Sequence, residues 1–253
     1  MTIEVVRDDR GVATVTLSRP EVHNALDAAT MDALAAFAAA PDARVAVLTG
    51  AGASFCAGGD LGWMRAQFDA PEAGRRREAE RLAHMLRALD RMDVPLIARV
   101  NGAAYGGGVG LIAVCDAAVC ADGARFGLTE TRLGLIPATI GPYVAARLGP
   151  ATRRVFMSAR RFDAAEAVAL GLVGRAVAAD ALDSAVAAEV TPYLACAPGA
   201  VRDAKRLARR LAGGDRDAEI EASIAALMAR WADEEAREGV GAFFDKRKPG
   251  WAP

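Results

Sequence analysis

Short apolar runs along the chain predict β-strands, and several of these strands precede segments with helical periodicity. Residues 12–17 (VATVTL) alternate apolar and polar positions, and residues 44–49, 96–100, 117–121 and 173–177 are short and mostly apolar. Such runs are typical of half-buried or fully buried strands. Apolar positions at helical spacing predict helices over residues 75–92, 109–115, 143–148, 163–171, 202–211 and 217–237, and a further helix capped by Thr30. The alternation of strands and helices indicates an α/β fold.

Two glycine-rich loops follow predicted strands and precede predicted helices. Residues 50–59 (GAGASFCAGG) end at Asp60, where we expect a helix to begin, and Gly106, Gly107 and Gly108 precede the apolar segment 109–115. Glycines let another molecule approach the backbone closely, and the first N–H groups of a helix have no acceptor within the helix. The two loops therefore predict amide donors that bind negative charge and face one another across one pocket, although glycines before a helix also serve packing alone.

Glu130 is a carboxylic acid in an otherwise apolar stretch that ends at Pro137. Apolar surroundings disfavour the anion, which raises the pKa of a carboxyl group towards the range that suits proton transfer. We therefore predict that Glu130 is an acid–base group beside the glycine loops. The alternative is an exposed, solvated glutamate, because this residue type is rarely buried.

Composition limits the classes of ligand. The 253 residues carry a formal net charge of −1, with 31 basic and 32 acidic residues, so the overall charge favours neither nucleic acid nor an anionic membrane. Four cysteines without CxxC spacing predict reduced thiols and a cytoplasmic protein, and two histidines make a histidine-rich metal site improbable. No apolar run reaches the length of a membrane span, and the first residues lack the pattern of a signal peptide.

The motifs taken together resemble the enoyl-CoA hydratase/isomerase (crotonase) superfamily from about residue 10 to residue 250. Their order and spacing carry the resemblance, since each motif alone is weak. The matching segments are Arg19-Pro20, Asn24-Ala25-Leu26, residues 54–61 (SFCAGGDL), Asn101-Gly102, Gly106-Gly107-Gly108, residues 126–130 (FGLTE), Gly134, Ile136-Pro137 and residues 246–249 (KRKP).

The resemblance implies a spiral of ββα units over residues 1–191 and a C-terminal helical trimerisation region over residues 192–253, in a homotrimer or a hexamer. It implies that the backbone amides of Ala57 and Gly107 form an oxyanion hole for the thioester carbonyl of an acyl-CoA substrate, with no further cofactor. The implied substrate- and CoA-binding residues are Arg19, Glu21, His23, Ala25, Ala57, Gly58, Gly59, Asp60, Leu61, Trp63, Gly106, Gly107, Phe244, Lys246 and Lys248.

The chain departs from the family pattern at one catalytic position. Hydratases of the family typically carry two glutamates; Glu130 matches the second, and Gly110 stands where the first is expected. We expect hydration of a 2-enoyl-CoA thioester through a single glutamate, with isomerisation of an enoyl-CoA as the alternative. Three strings, residues 60–65, 127–140 and 243–251, are similar to bacterial hydratases of branched, glutaconyl-type CoA thioesters. Arg65 is then either a partner for a second carboxylate on such a substrate or a surface residue.

Two other classes of function remain open at this point. Gly110 is compatible with an acyl-CoA-binding protein that has no activity. Residues 108–113 (GVGLIA) also fit the GxGxxA pattern of dinucleotide binding, with Asp122 as a ribose partner. The long loop from Val100 to Gly106 and the mid-chain position of the motif argue against that second alternative.

Overall fold

The computed structural model describes residues 1–212 and 216–251. Its strands are β1 (Ile3–Arg7), β2 (Val12–Leu17), β3 (Val45–Gly50), β4 (Ser54–Cys56), β5 (Leu96–Val100), β6 (Ala103–Tyr105), β7 (Ala117–Ala121), β8 (Arg125–Gly127), β9 (Arg161–Asp163) and β10 (Arg175–Val177). Its helices are α1 (Ala28–Ala39), α2 (Leu61–Asp69), α3 (Glu72–Arg91), α4 (Gly107–Ala113), α5 (Gly141–Leu148), α6 (Thr152–Phe156), α7 (Ala164–Ala169), α8 (Leu182–Leu194), α9 (Pro198–Leu211), α10 (Arg216–Trp231) and α11 (Glu234–Phe244). Short 3-10 turns cover Pro20–Val22, Glu130–Leu133, Gly149–Ala151 and Ala179–Ala181.

Consecutive strands alternate between two sheets. The larger sheet has the order β1-β2-β3-β5-β7-β10, and the smaller has the order β4-β6-β8-β9. In three successive pairs, β3–β4, β5–β6 and β7–β8, the first strand joins the larger sheet and the second joins the smaller one. The pairings β2–β3, β3–β5, β5–β7, β4–β6 and β6–β8 are all parallel. This repetition is the ββα spiral that the resemblance implies.

The long strands of the larger sheet were predictable because they carry the pattern of buried residues. β2 and β5 coincide with their predicted ranges, and every residue of β3 is buried. The smaller sheet was not predicted, since its strands have only three residues each and β4 lies inside the predicted glycine-rich loop. A strand of three residues is too short to show a period.

Two predicted details of the helices are wrong. Thr30 lies buried inside α1, and the helix is capped by Asp27, whose carboxylate accepts from the Thr30 N–H. The segment 217–237 is two helices, because Asp233 stops the first and caps α11 by accepting a hydrogen bond from Glu235 N.

The C-terminal helices differ in how they contact the rest of the chain. α10 buries Ile220, Ile224 and Leu227 in the main core, against α3 and α5. α9 has no buried residue and exposes Leu207 and Leu211. Part of the region expected to pack between subunits therefore completes the core of its own chain. The expected boundary at residues 191 and 192 falls inside α8.

Helix α11 packs directly on the turn Glu130–Leu133 through glycines. A Cβ at Gly239 would lie 2.5 Å from the Leu133 carbonyl carbon. A Cβ at Gly134, which adopts φ +68°, would lie 2.4 Å from the Glu235 carbonyl oxygen. The backbone of this helix thus supports the turn that carries the candidate acid–base group.

Gly239→Ala should therefore destabilise the protein, and Gly241→Ala in the same helix should not. The first change places a methyl group against backbone that cannot yield, which costs about 1–3 kcal/mol. The second faces open space and should be neutral or stabilising by up to about 1 kcal/mol, because alanine favours the helix. Urea unfolding of both variants measures the difference; equal free energies of unfolding would contradict the close packing of α11.

Candidate active site

A cavity lies where the strands of the smaller sheet end. Since β4, β6 and β8 are parallel, their carboxyl ends meet at one edge, and the segments that follow them contain Ala57, Gly106 and Glu130. All three residues line a cavity of about 870 Å³. The two glycine loops and the glutamate that the sequence singled out are therefore brought together.

The two loops touch through their backbones. A Cβ built on Gly107 would lie 3.5 Å from the Gly58 Cα, and one built on Gly58, at φ +96°, would lie 2.8 Å from the Tyr105 carbonyl oxygen. A Cβ at Gly108 would lie 2.3 Å from the Cys56 carbonyl oxygen. A side chain at Gly58 or Gly108 would therefore overlap backbone, which explains why both loops carry glycine at these positions.

The Gly107 amide is an available donor. Gly107 is the first residue of α4, and within residues 1–212 and 216–251 no hydrogen-bond acceptor is found for its N–H. This is the state expected for the first turn of a helix. An oxygen atom in the cavity can therefore accept from this amide.

The Ala57 amide is engaged in this structure. Ala57 borders the cavity, but its N–H donates to the His23 carbonyl oxygen over 2.9 Å. The expected role of Ala57 in an oxyanion hole thus requires this hydrogen bond to be shared with, or exchanged for, one to a substrate oxygen. That role stays a prediction.

Glu130 begins the 3-10 turn Glu130–Leu133 and points its carboxyl group into protein. Its Oε1 would be 2.9 Å from a Cβ at Gly106. Its Oε2 is buried and finds no hydrogen-bond partner among the residues that the structure describes. Burial in apolar surroundings raises the pKa of this carboxyl group to about 7. The group can therefore both accept and release a proton near neutral pH.

The space in front of residue 110, where the family's first glutamate is expected, is filled by Ile140. A Cβ at Gly110 would lie 2.3 Å from Cγ2 and 2.9 Å from Cβ of Ile140. Rotation of the Ile140 side chain moves Cγ2 but leaves Cβ in place, so a side chain at residue 110 requires the backbone at Ile140 to shift. Both residues are buried, and Ile140 gives the cavity an apolar wall.

The predicted binding residues divide into two groups. The first group lines the cavity and comprises His23, Ala25, Ala57, Gly58, Gly59, Asp60, Leu61, Trp63, Gly106 and Gly107. The second group lies outside the cavity wall and comprises Arg19, Glu21, Phe244, Lys246 and Lys248.

Arg19 forms several contacts within the protein, and its implied role in binding CoA stays a prediction. Its guanidinium group forms ion pairs with Asp27 at 3.2 Å and with Asp60 at 3.1 Å, and it donates to the Ala25 carbonyl oxygen at 2.7 Å. The buried Asn24 completes this anchor by donating to the carbonyl oxygens of Ala51 and Ser54. These contacts hold the loop after β4 against the segment that follows β2.

The apolar end of the cavity was largely missed by sequence reasoning. Its walls come from α2, α3, α10, α11 and the segment from Leu133 to Ile140, and they include Met64, Leu82, Leu133, Leu135, Ile136, Ile140, Leu227, Trp231 and Phe243. Trp63 is fixed there by donating from Nε1 to Glu78 at 2.7 Å and by an edge contact with the Trp231 ring at 5.7 Å. These residues follow the same apolar periodicity as the packed core. The pattern therefore does not distinguish a residue of a cavity wall from a residue of the interior.

Sequence reasoning missed two arginines in the cavity wall, Arg132 and Arg161. Arg65 is exposed and lies outside the wall, with its guanidinium group 5.0 Å from the centre of the Phe244 ring. Of its two predicted roles, this position favours the surface residue.

Comparisons with known proteins agree with this geometry. Residues 7–253 match the family model described as enoyl-CoA hydratase/isomerase. A putative enoyl-CoA hydratase of Thermus thermophilus is 34% identical over 97% of this chain and 99% of that protein, and a mevalonyl-coenzyme A hydratase of Aspergillus fumigatus is 34% identical over 96% and 92%. The crystal structure of a putative enoyl-CoA hydratase from Mycobacterium avium paratuberculosis covers 100% of both chains with a TM-score of 0.88 at 30% identity, which confirms the predicted α/β fold.

The contact between residues 110 and 140 can be tested by a double-mutant cycle. Gly110→Ala alone should lower the free energy of unfolding by about 1–3 kcal/mol, because its methyl group overlaps Ile140. In the Ile140→Ala background, Gly110→Ala should lower the free energy of unfolding much less than it does in the wild type. The two substitutions should therefore be non-additive, and the double variant should be more stable than the sum of the single effects predicts. Gly123→Ala, whose new methyl group meets no atom within 4 Å, serves as the control. Additive effects in urea unfolding would contradict the overlap.

Proposed function

Because the chain belongs to the enoyl-CoA hydratase/isomerase family and is therefore an enzyme, we propose that it adds water across the 2,3 double bond of an enoyl-CoA thioester with Glu130 as its single acid–base group. The observation that carries this proposal is the Glu130 carboxyl group itself. It borders a cavity beside the free Gly107 amide, and burial raises its pKa to about 7.

In the proposed reaction the Glu130 carboxylate takes a proton from water as the hydroxide oxygen bonds to C3 of the substrate. The π electrons of the double bond move through C2 onto the thioester oxygen and give an enolate. Glu130 then returns a proton to C2 as the carbonyl re-forms. The carboxylate is regenerated, so one side chain serves as base and then as acid. Coenzyme A takes part only as a portion of the substrate.

The enolate oxygen needs donors that are in place before the charge develops. The Gly107 N–H is unpaired and borders the cavity, and the Ala57 N–H joins it once its hydrogen bond to His23 is shared. Preorganised donors of this kind favour the transition state over the ground state, and each contributes about 3–4 kcal/mol in known oxyanion holes.

Isomerisation of an enoyl-CoA is the second candidate function. The apolar contact of Ile140 with Gly110 favours it, since no second acidic side chain is present there to orient a water molecule. One carboxyl group suffices to move a proton between C4 and C2 through the same enolate. The two reactions thus share a site and differ in whether water enters it.

For the acyl group we propose a branched hydrocarbon portion, with or without a further carboxylate as in methylglutaconyl-type thioesters. The cavity supports the apolar part, because its inner walls are aliphatic and aromatic side chains. A relative named as a mevalonyl-coenzyme A hydratase, at 34% identity, supports a branched acyl group. Arg132 and Arg161 are the cavity residues suited to a carboxylate.

We also propose that the protein is cytoplasmic and assembles as a homotrimer or a hexamer. Helix α9 supports assembly, because it leaves Leu207 and Leu211 exposed to water. Among the helices of residues 1–212 and 216–251, none combines the length and apolar character needed to cross a membrane.

Replacing Glu130 by glutamine should abolish turnover and leave thioester binding nearly intact. Glutamine preserves the shape of the side chain but cannot accept the proton, so kcat should fall by at least about a hundredfold. Loss of the absorbance of a conjugated 2-enoyl-CoA measures hydration, and calorimetric titration with a saturated acyl-CoA measures binding. Glu72→Gln, at the exposed start of α3, is the matched control. Unchanged turnover in Glu130→Gln would remove Glu130 from the mechanism.

The pH dependence of hydration should report the raised pKa of Glu130. The base form is needed to take a proton from water, so kcat/KM should be constant above about pH 7 and should fall about tenfold per pH unit well below it. If kcat/KM instead begins to fall only near pH 4.5, where an ordinary glutamate titrates, the carboxyl group is solvated in the working enzyme.

The two candidate reactions separate in one assay. A 3-enoyl-CoA that becomes a conjugated 2-enoyl-CoA without gaining the mass of water indicates isomerisation. A 2-enoyl-CoA that loses its conjugated absorbance and gains 18O from labelled water indicates hydration. Mass spectrometry of the products decides between them, and binding without either product would contradict both.

A further inference from the structure

Arg161 lies on the cavity-facing side of the smaller sheet, next to the segment that carries Glu130. It is the first residue of β9, which pairs antiparallel with β8 so that Arg161 is opposite Gly127. Gly127 is three residues before Glu130. On the other face of the same two strands, Phe126 and Phe162 stack at 5.7 Å in the core. Because side chains alternate across a strand, Arg161 is on the outer face, where it lines the cavity.

The Arg161 guanidinium group is held in place by an aromatic ring. Its Cζ lies 5.2 Å from the centre of the Tyr105 ring. Tyr105 directly precedes Gly106 and Gly107, so the ring and the guanidinium group form the wall next to the candidate oxyanion donor. Stacking on a ring leaves the edge of a guanidinium group, with its N–H donors, free to bind an anion.

The surrounding acidic groups are committed to other partners. Glu166 forms a two-point ion pair with Arg160 at 2.6 Å, and Asp163, which shares the outer face with Arg161, caps α7 by accepting from Glu166 N at 2.9 Å. No ion pair to Arg161 is found in the described parts of the chain. Arg161 is exposed at the cavity, so its N–H donors are open to a ligand.

The other charges along the cavity do not balance Arg161 either. Asp60 is paired with Arg19 at 3.1 Å. Glu130 is buried in apolar surroundings and must exchange its proton during the reaction. Arg132 adds a second positive charge to the wall. A ligand with an anionic oxygen group would complete this part of the cavity, and arginine binds such groups through two parallel N–H donors.

We propose that Arg161 is an anion-binding residue of the substrate site, where it pairs with an anionic oxygen group of the acyl-CoA thioester. This proposal rests on the proposed function in so far as the ligand is a CoA thioester, and it is independent of the reaction catalysed. Two parts of such a ligand carry the required chemistry: a phosphate of the CoA portion and a carboxylate on the acyl chain. The same guanidinium group cannot serve both at once, so the two sources are distinguishable.

Three saturated ligands that cannot react separate these sources. Butyryl-CoA carries phosphates and no acyl carboxylate, 3-methylglutaryl-CoA carries both, and S-butyryl-N-acetylcysteamine carries neither. Dissociation constants are measured by calorimetry for the CoA ligands and by NMR titration for the third. The variants are Arg161→Gln and the charge-conserving Arg161→Lys. Arg125→Gln is the matched control, because Arg125 is on the same two-strand ribbon but outside the cavity wall.

If a phosphate binds Arg161, the glutamine variant should bind both CoA ligands about ten- to a hundredfold more weakly, with the lysine variant between it and the wild type. If an acyl carboxylate binds Arg161, only 3-methylglutaryl-CoA should lose affinity. In both cases the uncharged thioester and the Arg125→Gln protein should bind as before. Unchanged affinity for every ligand, or an equal loss for all three, would overturn the proposal.

Failure of this proposal and failure of the proposed function give different results. The ligands are not turned over, so a chain that hydrates nothing can still show a charge-dependent loss of affinity in Arg161→Gln. Conversely, a chain that hydrates enoyl-CoA with full affinity in that variant would keep its proposed reaction and lose the anion site.

Discussion

The site depends on the contact between two backbone segments, the loop after β4 and the loop after β6. Gly58 and Gly107 pack with no side chain between them, and Gly108 rests on the Cys56 carbonyl group. This contact brings an unpaired amide to the edge of the cavity, and the absence of a Cβ at Gly106 leaves room for the carboxyl group of Glu130. The parallel strands β4, β6 and β8 supply the geometry, because their carboxyl ends stand side by side. The glycines then permit an approach that any side chain would prevent.

Polar contacts hold the loop after β4 in place. Asn24 donates to two carbonyl oxygens of the loop region, and Arg19 connects Asp27 at the start of α1 with Asp60 at the start of α2. The resemblance implies a role for Arg19 in binding CoA, and that role stays a prediction. In this structure two carboxylates neutralise the charge of the arginine. Arg132 and Arg161 add positive charge to the cavity wall itself.

The sequence predicted those parts of the fold that carry a local signal. Strands β2, β3, β5 and β7 of the larger sheet have five or six mostly apolar or alternating residues, as at Val12–Leu17, and the two glycine loops stand out by composition. The strands of the smaller sheet have three residues each, which no periodicity can reveal. Ile140 against Gly110, and Arg161 over Tyr105, join positions that are distant in sequence, so only the folded chain shows them. Arg65 has a charge that suits an anion, but its side chain lies outside the cavity wall. Each successive side chain of a helix is rotated by about 100°, so a short sequence motif does not show which residues of α2 face the cavity.

Gly110 stands where the family's first glutamate is expected, and this absence changes what Glu130 must do. With Ile140 packed against Gly110, Glu130 has no acidic neighbour to divide the proton transfers with, and one group has to accept and donate in the same cycle. A carboxyl group with an ordinary pKa is a weak base, and its acid form is scarce at neutral pH. Burial raises the pKa of Glu130 to about 7, where both forms are populated. The remaining carboxyl group therefore has the proton affinity that a single group needs to serve first as base and then as acid.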